Sequence, residues 1–129
     1  MMNMVMDVTW DAAKNQKNIA ERQLPLSLGG LVLDDEMRIE RHDKKHSTPE
    51  QDRWQTIGKA GRVLFTVYTE AAKTLGGGEM PHIISVRLAD MEEKRLYYGE
   101  RGLQASGWYR VNPGGMGYAE GSGEAPDQV

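Results

Sequence analysis

Apolar and polar positions alternate along this chain in short blocks, each with the period of one element. Val5, Val8, Thr9 and Trp10 predict a first strand over Met4–Trp10. Asp11 is placed to cap a helix from Ala12 to about Arg22. Pro25 stops continuation, and the apolar run Leu24–Leu33, broken by Gly29-Gly30, predicts a second short helix. Over Met37–His42, the positions Met37, Ile39 and Arg41 alternate with Arg38, Glu40 and His42, a strand with one polar face. Lys44–Asp52 is a polar loop in which Thr48-Pro49-Glu50-Gln51 reads as a one-turn helix start. Arg53–Lys59 and Arg62–Glu70 predict two strands joined by a hairpin at Gly58–Gly61. The second of these is apolar enough on both faces to lie centrally in a sheet. Ala71–Glu79, with Gly76-Gly77-Gly78, reads as a flexible connection and Met80–Arg87 as the last strand. Asp90-Met91-Glu92-Glu93 is a capping box that opens a helix to about Tyr98.

The order β-α-α-β-β-β-β-α predicts an α+β fold with an antiparallel-rich sheet, N-terminal helices and a C-terminal helix. From Gly99 the composition changes: eight of the 15 glycines lie between Gly99 and Val129, with Pro113 and Pro126. Such a segment buries too little surface to offset its ordering entropy. The expected division is therefore a domain over 1–98 and a disordered tail over 99–129.

At 129 residues, 39% hydrophobic and 27% charged, the chain has the size and composition of one soluble globular domain. No window approaches the roughly 18 apolar residues of a membrane span. Met1–Val8 shows no basic region followed by an apolar one, so no secretory signal is expected. The absence of cysteine excludes disulfides and thiolate metal sites and fits a cytoplasmic location. Sixteen basic and 19 acidic residues give a net charge of −3, unlike the basic surplus of most nucleic-acid binders. Any RNA contact would rest on a local patch.

The richest chemistry lies in Pro81–Tyr98. An apolar strand ends in Arg87 and leads into a helix carrying Glu93, Lys94 and Arg95, with tyrosine hydroxyls nearby. A site that holds a phosphodiester and stabilises its added transition-state charge needs such groups. The alternative is a final strand followed by a solvated helix.

Four blocks in order resemble the BrnT family, the toxin half of a bacterial type II toxin–antitoxin pair. They are Trp10-Asp11-x-x-Lys14-x-x-x-Asn18; Asp43-x-x-His46-Ser47 followed by Arg53-Trp54-Gln55-Thr56-Ile57-Gly58; Gly61 to Thr69; and Ile83-Ile84-Ser85-Val86-Arg87-x-Ala89 with Glu93-Lys94-Arg95-x-Tyr97. The resemblance spans about Val8 to Tyr97. It implies a RelE-like fold and a metal-independent ribonuclease that arrests growth. It also implies a BrnA-type antitoxin as partner, with DNA contacted only through that antitoxin in repressing their operon. No cofactor and no membrane association are implied. The chain departs from the family pattern at Glu21-Arg22-Gln23, where Lys-His-Gly is usual, at Gln51-Asp52, where a glutamate often precedes the arginine, and at His82, where a basic residue is common.

Metal-free RNA cleavage uses the ribose 2′-hydroxyl as nucleophile and needs a base, an acid and cations. Arg53 and Arg87, each at a strand end, are the cationic candidates; both could equally be surface arginines. His46 is the acid–base candidate, because an imidazole titrates near neutrality at about pH 6.5; it could also be a solvated loop residue. Glu93 is a possible base, although its capping-box position accounts for it structurally. Lys94 and Arg95 could hold the RNA backbone, or Lys94 could pair with Asp90. His42, Asp43 and His46 invite a metal reading, but no third-ligand geometry is evident. Gly76-Gly77-Gly78 lacks the lysine of a phosphate-binding loop. The competing functional reading is a degenerate family member that binds its antitoxin without cleaving RNA.

Overall fold

Val63, Leu64, Phe65, Thr66 and Tyr68 are all buried along one strand, whose successive side chains point to opposite faces. Such a strand must be covered on both sides, and the computed structural model shows how. It describes residues 7–73, 79–100 and 102–111. The elements are β1 (Thr9–Trp10), α1 (Ala12–Arg22), α2 (Leu28–Leu33), β2 (Ile39–His42), β3 (Arg53–Ala60), β4 (Arg62–Lys73), β5 (Glu79–Leu88), α3 (Met91–Tyr97), a 3₁₀ turn (Gln104–Ser106) and β6 (Tyr109–Arg110). The strands form one six-stranded sheet in the order β1-β5-β4-β3-β2-β6. All neighbours are antiparallel except β1 and β5. The fold is mixed α+β.

The first face is covered from the N-terminal side. The Asp11 carboxylate accepts the Lys14 N–H and starts α1. Gln23 ends it with a left-handed φ of 62°, a conformation that favours glycine, so the Gln23 departure falls on a helix cap. Asn18 is buried and donates its amide to the carbonyls of Leu24 and Val86, tying α1 to the edge of β5. Leu24, Leu26, Val32 and Leu33 then pack on Leu64, Tyr68, Ile83 and Val86. This seat requires glycine at Gly58, where a Cβ would stand 2.9 Å from the Val32 side chain and 3.0 Å from its carbonyl oxygen.

On the second face, Leu96 and Tyr97 of α3, with Ala89 and Trp108, cover Ile39, Ile57, Val63 and Phe65. The Asp90–Glu93 capping box is fully formed. The Tyr97 hydroxyl donates to Asp35 at 2.6 Å, and burial together with that carboxylate raises its pKa.

Several expectations are corrected. The second helix begins at Leu28, because Leu24–Ser27 is held as a loop by Asn15 and Asn18. Thr48–Gln51 forms no helix; Thr48 and Gln51 exchange two backbone hydrogen bonds as a tight turn. Gly58 lies inside β3, and the turn to β4 rests on Gly61, with φ of 79°. The side of β2 read as polar is not solvated: Glu40 is buried and accepts hydrogen bonds from Thr56, Tyr68 and Arg38. β4 and β5 take up residues to Lys73 and from Glu79, and Gly76–Gly78 lie outside the described residues. β5 is not the last strand.

The glycine-rich segment also departs from the expected tail over 102–111. Trp108 is 5% exposed and meets Phe65 edge-on, at 6.2 Å between ring centroids. β6 extends the sheet beside β2, and the Arg110 guanidinium donates to the carbonyls of Tyr97 and Met37. One large aromatic supplies the burial that the surrounding glycines lack. Residues 112–129 of that tail lie outside the described residues. Trp108→Ala is expected to cost about 3–5 kcal/mol of stability, read by urea unfolding. A loss under about 1 kcal/mol would show that this docking is not part of the native core.

Candidate active site

The second face holds three rows of side chains set by strand register. Nearest α3, Ile39, Ile57, Phe65 and Arg87 align; next come Arg41, Gln55, Val67 and Ser85; last come Arg53, Thr69 and His82. Arg53 and Arg87 therefore share one face but lie two rows apart, about 13 Å along the strands. Arg41 lies in the row between theirs, but on β2, one strand beyond Arg53 and three from Arg87.

Arg87 is the most constrained of the three. Its guanidinium lies over the Phe65 ring, 3.9 Å from the centroid. It also makes a two-pronged pair with Glu93, at 2.9 and 2.8 Å. The Glu93 hydrogen bond, outweighing partial burial, raises the arginine's pKa further. Glu93 additionally accepts the Asp90 backbone N–H, so its carboxylate is committed to Arg87 and to the helix cap. Arg53 is half-buried; its N–H donates to the Ser47 hydroxyl, and its Nε reaches Gln51 at 3.4 Å.

The loop after β2 adds the proton-transfer candidate. Asp43 is buried, and His46 places Nδ1 3.0 Å from its carboxylate. Burial works against the Asp43 charge. Hydrogen bonds from the His46 ring and backbone and from Gln55 outweigh it and hold the carboxyl below the usual carboxylate range. The His46 side chain is 56% exposed. Anchoring Nδ1 on a carboxylate turns Nε2 outward, the arrangement of an imidazole set to exchange a proton.

Lys94 and Arg95 are exposed in the last turn of α3. Lys94 does not pair with Asp90 among the described residues, since that carboxylate caps Glu93 instead. Asp52 lies 3.1 Å from His42, and His82 is joined to Thr9 where β1 meets β5. The structure thus gathers His46, Asp43, Gln55, Arg41 and Arg53 at one end of the face and leaves Arg87 two rows and two strands from Arg53, on β5. Among the described residues no three His, Asp or Glu side chains lie close enough to hold a metal ion. No helix there is long and apolar enough to cross a membrane.

The family model for BrnT, the ribonuclease toxin of a type II toxin–antitoxin system, matches residues 10–93. The chain belongs to the BrnT family. No curated protein matches it. Family membership carries the coarse activity, that of a ribonuclease toxin, and an antitoxin as protein partner. The match contains Arg41, Asp43, His46, Arg53, Arg87 and Glu93; Lys94, Arg95 and Trp108 lie beyond it.

Two members of the cluster were missed in the sequence reading. Arg41 shares the alternating positions of Met37 and Ile39, and an arginine on the apolar side of a strand was the available signal. Gln55 carried none, because its partners Arg41 and Asp43 meet it only through strand pairing.

The lowered Asp43 pKa has a pH consequence with a definite sign. Its contribution is present above the unfolded value of about 3.9 and is lost as pH falls through the folded value. Asp43→Asn should cost about 1.5–3 kcal/mol at pH 7 and much less at pH 2–3, read by urea unfolding at both. Equal losses would show that the charge contributes nothing.

Proposed function

We propose that this BrnT protein is a RelE-like, metal-independent endoribonuclease, neutralised by an antitoxin of the BrnA type. The observation that carries the reading is the Asp43–His46 pair beside a sheet face bearing Arg53 and Arg87. The ribose 2′-oxygen attacks the adjacent phosphorus and the bond to the 5′-oxygen breaks, leaving a 2′,3′-cyclic phosphate and a 5′-hydroxyl. His46 exchanges the proton that this displacement moves. Arg53 and Arg87 hold the phosphodiester and offset the charge of the phosphorane. Glu93 serves by aiming Arg87, and Lys94 and Arg95 hold the RNA backbone beyond it. In this role the protein works in the cytoplasm, where its RNA substrate is.

Purified protein should cut RNA in EDTA and leave 2′,3′-cyclic ends. Arg53→Ala or Arg87→Ala should lower cleavage about 100-fold while antitoxin binding persists. Cleavage abolished by EDTA and restored by metal would refute the mechanism.

One observation favours a second reading, an antitoxin-binding module without catalysis: Glu93 already fills the fork of Arg87. Folded wild-type protein that binds antitoxin but cuts no RNA would establish that alternative.

The antitoxin should cover the same cations, since opposite charge both speeds encounter and blocks phosphate. Reversing Lys94 and Arg95 to glutamate is expected to weaken the complex and flatten its salt dependence. Titration at two ionic strengths checks this, and unchanged slopes would place the antitoxin elsewhere.

A further inference from the structure

Arg41 differs from Arg87 in having no carboxylate partner and from Arg53 in lying over an aromatic ring. It is half-buried, and its Nε donates to Gln55 at 2.9 Å. Among the described residues neither of its terminal nitrogens has a hydrogen-bond partner, and no carboxylate pairs with it. Arg87 has Glu93, Arg38 has Glu40 and Arg110 has two backbone carbonyls. A half-buried cation without an anion is costly unless it receives one.

The guanidinium is nevertheless fixed in place. Its carbon lies over the Trp108 ring, 4.6 Å from the centroid. Gly107, with φ of 85°, turns the backbone so that its Cβ position is 3.9 Å from the Arg41 Cδ. Trp108 belongs to the segment beyond the family match, within a stretch otherwise rich in glycine. Gln55 lies between Arg41 and the Asp43–His46 pair: it accepts from Arg41 and helps hold the Asp43 carboxyl below the usual range.

We propose that Arg41 is a third cation of the cleaving site, contacting the scissile phosphodiester beside His46, and that Trp108 is the positioning residue that aims it. The inference rests on the ribonuclease reading above and deepens it. A planar guanidinium held by an aromatic ring and one Nε bond presents its two terminal nitrogens as a fork to phosphate oxygens. The register supports this placement beside His46, since Arg41 faces Gln55 on the neighbouring strand and lies one row from Arg53 and Asp43.

The test is a double-mutant cycle on the full chain, with a fluorescent single-stranded RNA oligonucleotide of mixed sequence as substrate and folding checked by thermal melting. Arg41→Ala should lower kcat about 100-fold with KM changed little, as expected when an interaction made in the transition state is lost. Arg41→Lys should remain well below wild type, because an ammonium offers no planar fork. Trp108→Leu should lower kcat about tenfold, Trp108→Phe should recover part of that loss, and Trp108→Leu should add no further loss in the Arg41→Ala background.

Independent, multiplying losses would overturn the positioning role. Arg41→Ala that cuts as well as wild type would overturn the site assignment, and where Trp108→Leu does not fold, the two Arg41 variants still decide it. Wild-type protein that cuts no RNA is a distinct result: it refutes the ribonuclease reading and takes this proposal with it.

Discussion

The constraint on which the structure depends is the burial of β4 on both faces. Leu64, Thr66 and Tyr68 alternate with Val63 and Phe65, and every one of them is removed from water. At roughly 1.5–3 kcal/mol for each fully buried large apolar side chain, exposing either face would exceed the stability of a domain this size within a few residues. The chain answers with α1, α2 and their connecting loop on one face and α3 with Trp108 on the other. Those two coverings are unequal. A helix of seven residues is about 10 Å long, whereas the ten-residue strand before it extends about 33 Å. α3 therefore covers only one end of its face, and the rows of Arg41 and Arg53 lie beyond it. The Arg41, Arg53 and His46 end of the candidate site occupies the part of the sheet beyond the short helix, and Arg87 stands at the helix's border, paired with Glu93.

Much of this frame was legible in the chain. Elements whose signal is local were readable, such as the cap at Asp11, the capping box at Asp90–Glu93 and the two-faced apolar run of β4. Less legible were features that arise from pairing between distant residues. The polar side of β2 became interior because Tyr68 and Thr56 supply donors to Glu40 from strands that follow it in sequence. The docking of Trp108 was hidden by the glycines around it, since composition averages over a segment and a single indole decides its fate. For the site, Arg53, Arg87, His46 and Glu93 carried chemistry recognisable by residue type. Their neighbours Arg41 and Gln55 became relevant only once the strand register set them side by side.

The net charge of −3 is no obstacle to an anion-binding face, because charge is sorted by location. Glu40 lies buried on the face opposite the candidate site, where Thr56, Tyr68 and Arg38 satisfy it. Its presence, after burial itself, helps raise the pKa of Tyr68. Asp43 and Glu93 do lie on the candidate side, yet both are occupied, one by His46 and Gln55 and the other by Arg87 and a helix cap. Acids engaged in this way orient cations and an imidazole while presenting little free negative charge to an approaching phosphate.

That sorting clarifies how three arginines on one face can differ in role. Arg87 is stacked on Phe65 and gripped by Glu93, so its direction is fixed at the cost of donors already committed. Among the described residues the Arg53 side chain has one long contact, to Gln51, and keeps more freedom. Arg41 combines a fixed plane with uncommitted nitrogens, through an aromatic support and an amide rather than a carboxylate. A neutral support fixes a guanidinium without neutralising it, which is the electrostatic condition for stabilising charge that appears only during reaction. In the role proposed for it, Trp108 lies outside the family-matched segment and supports Arg41 from a segment other than the strand that carries it.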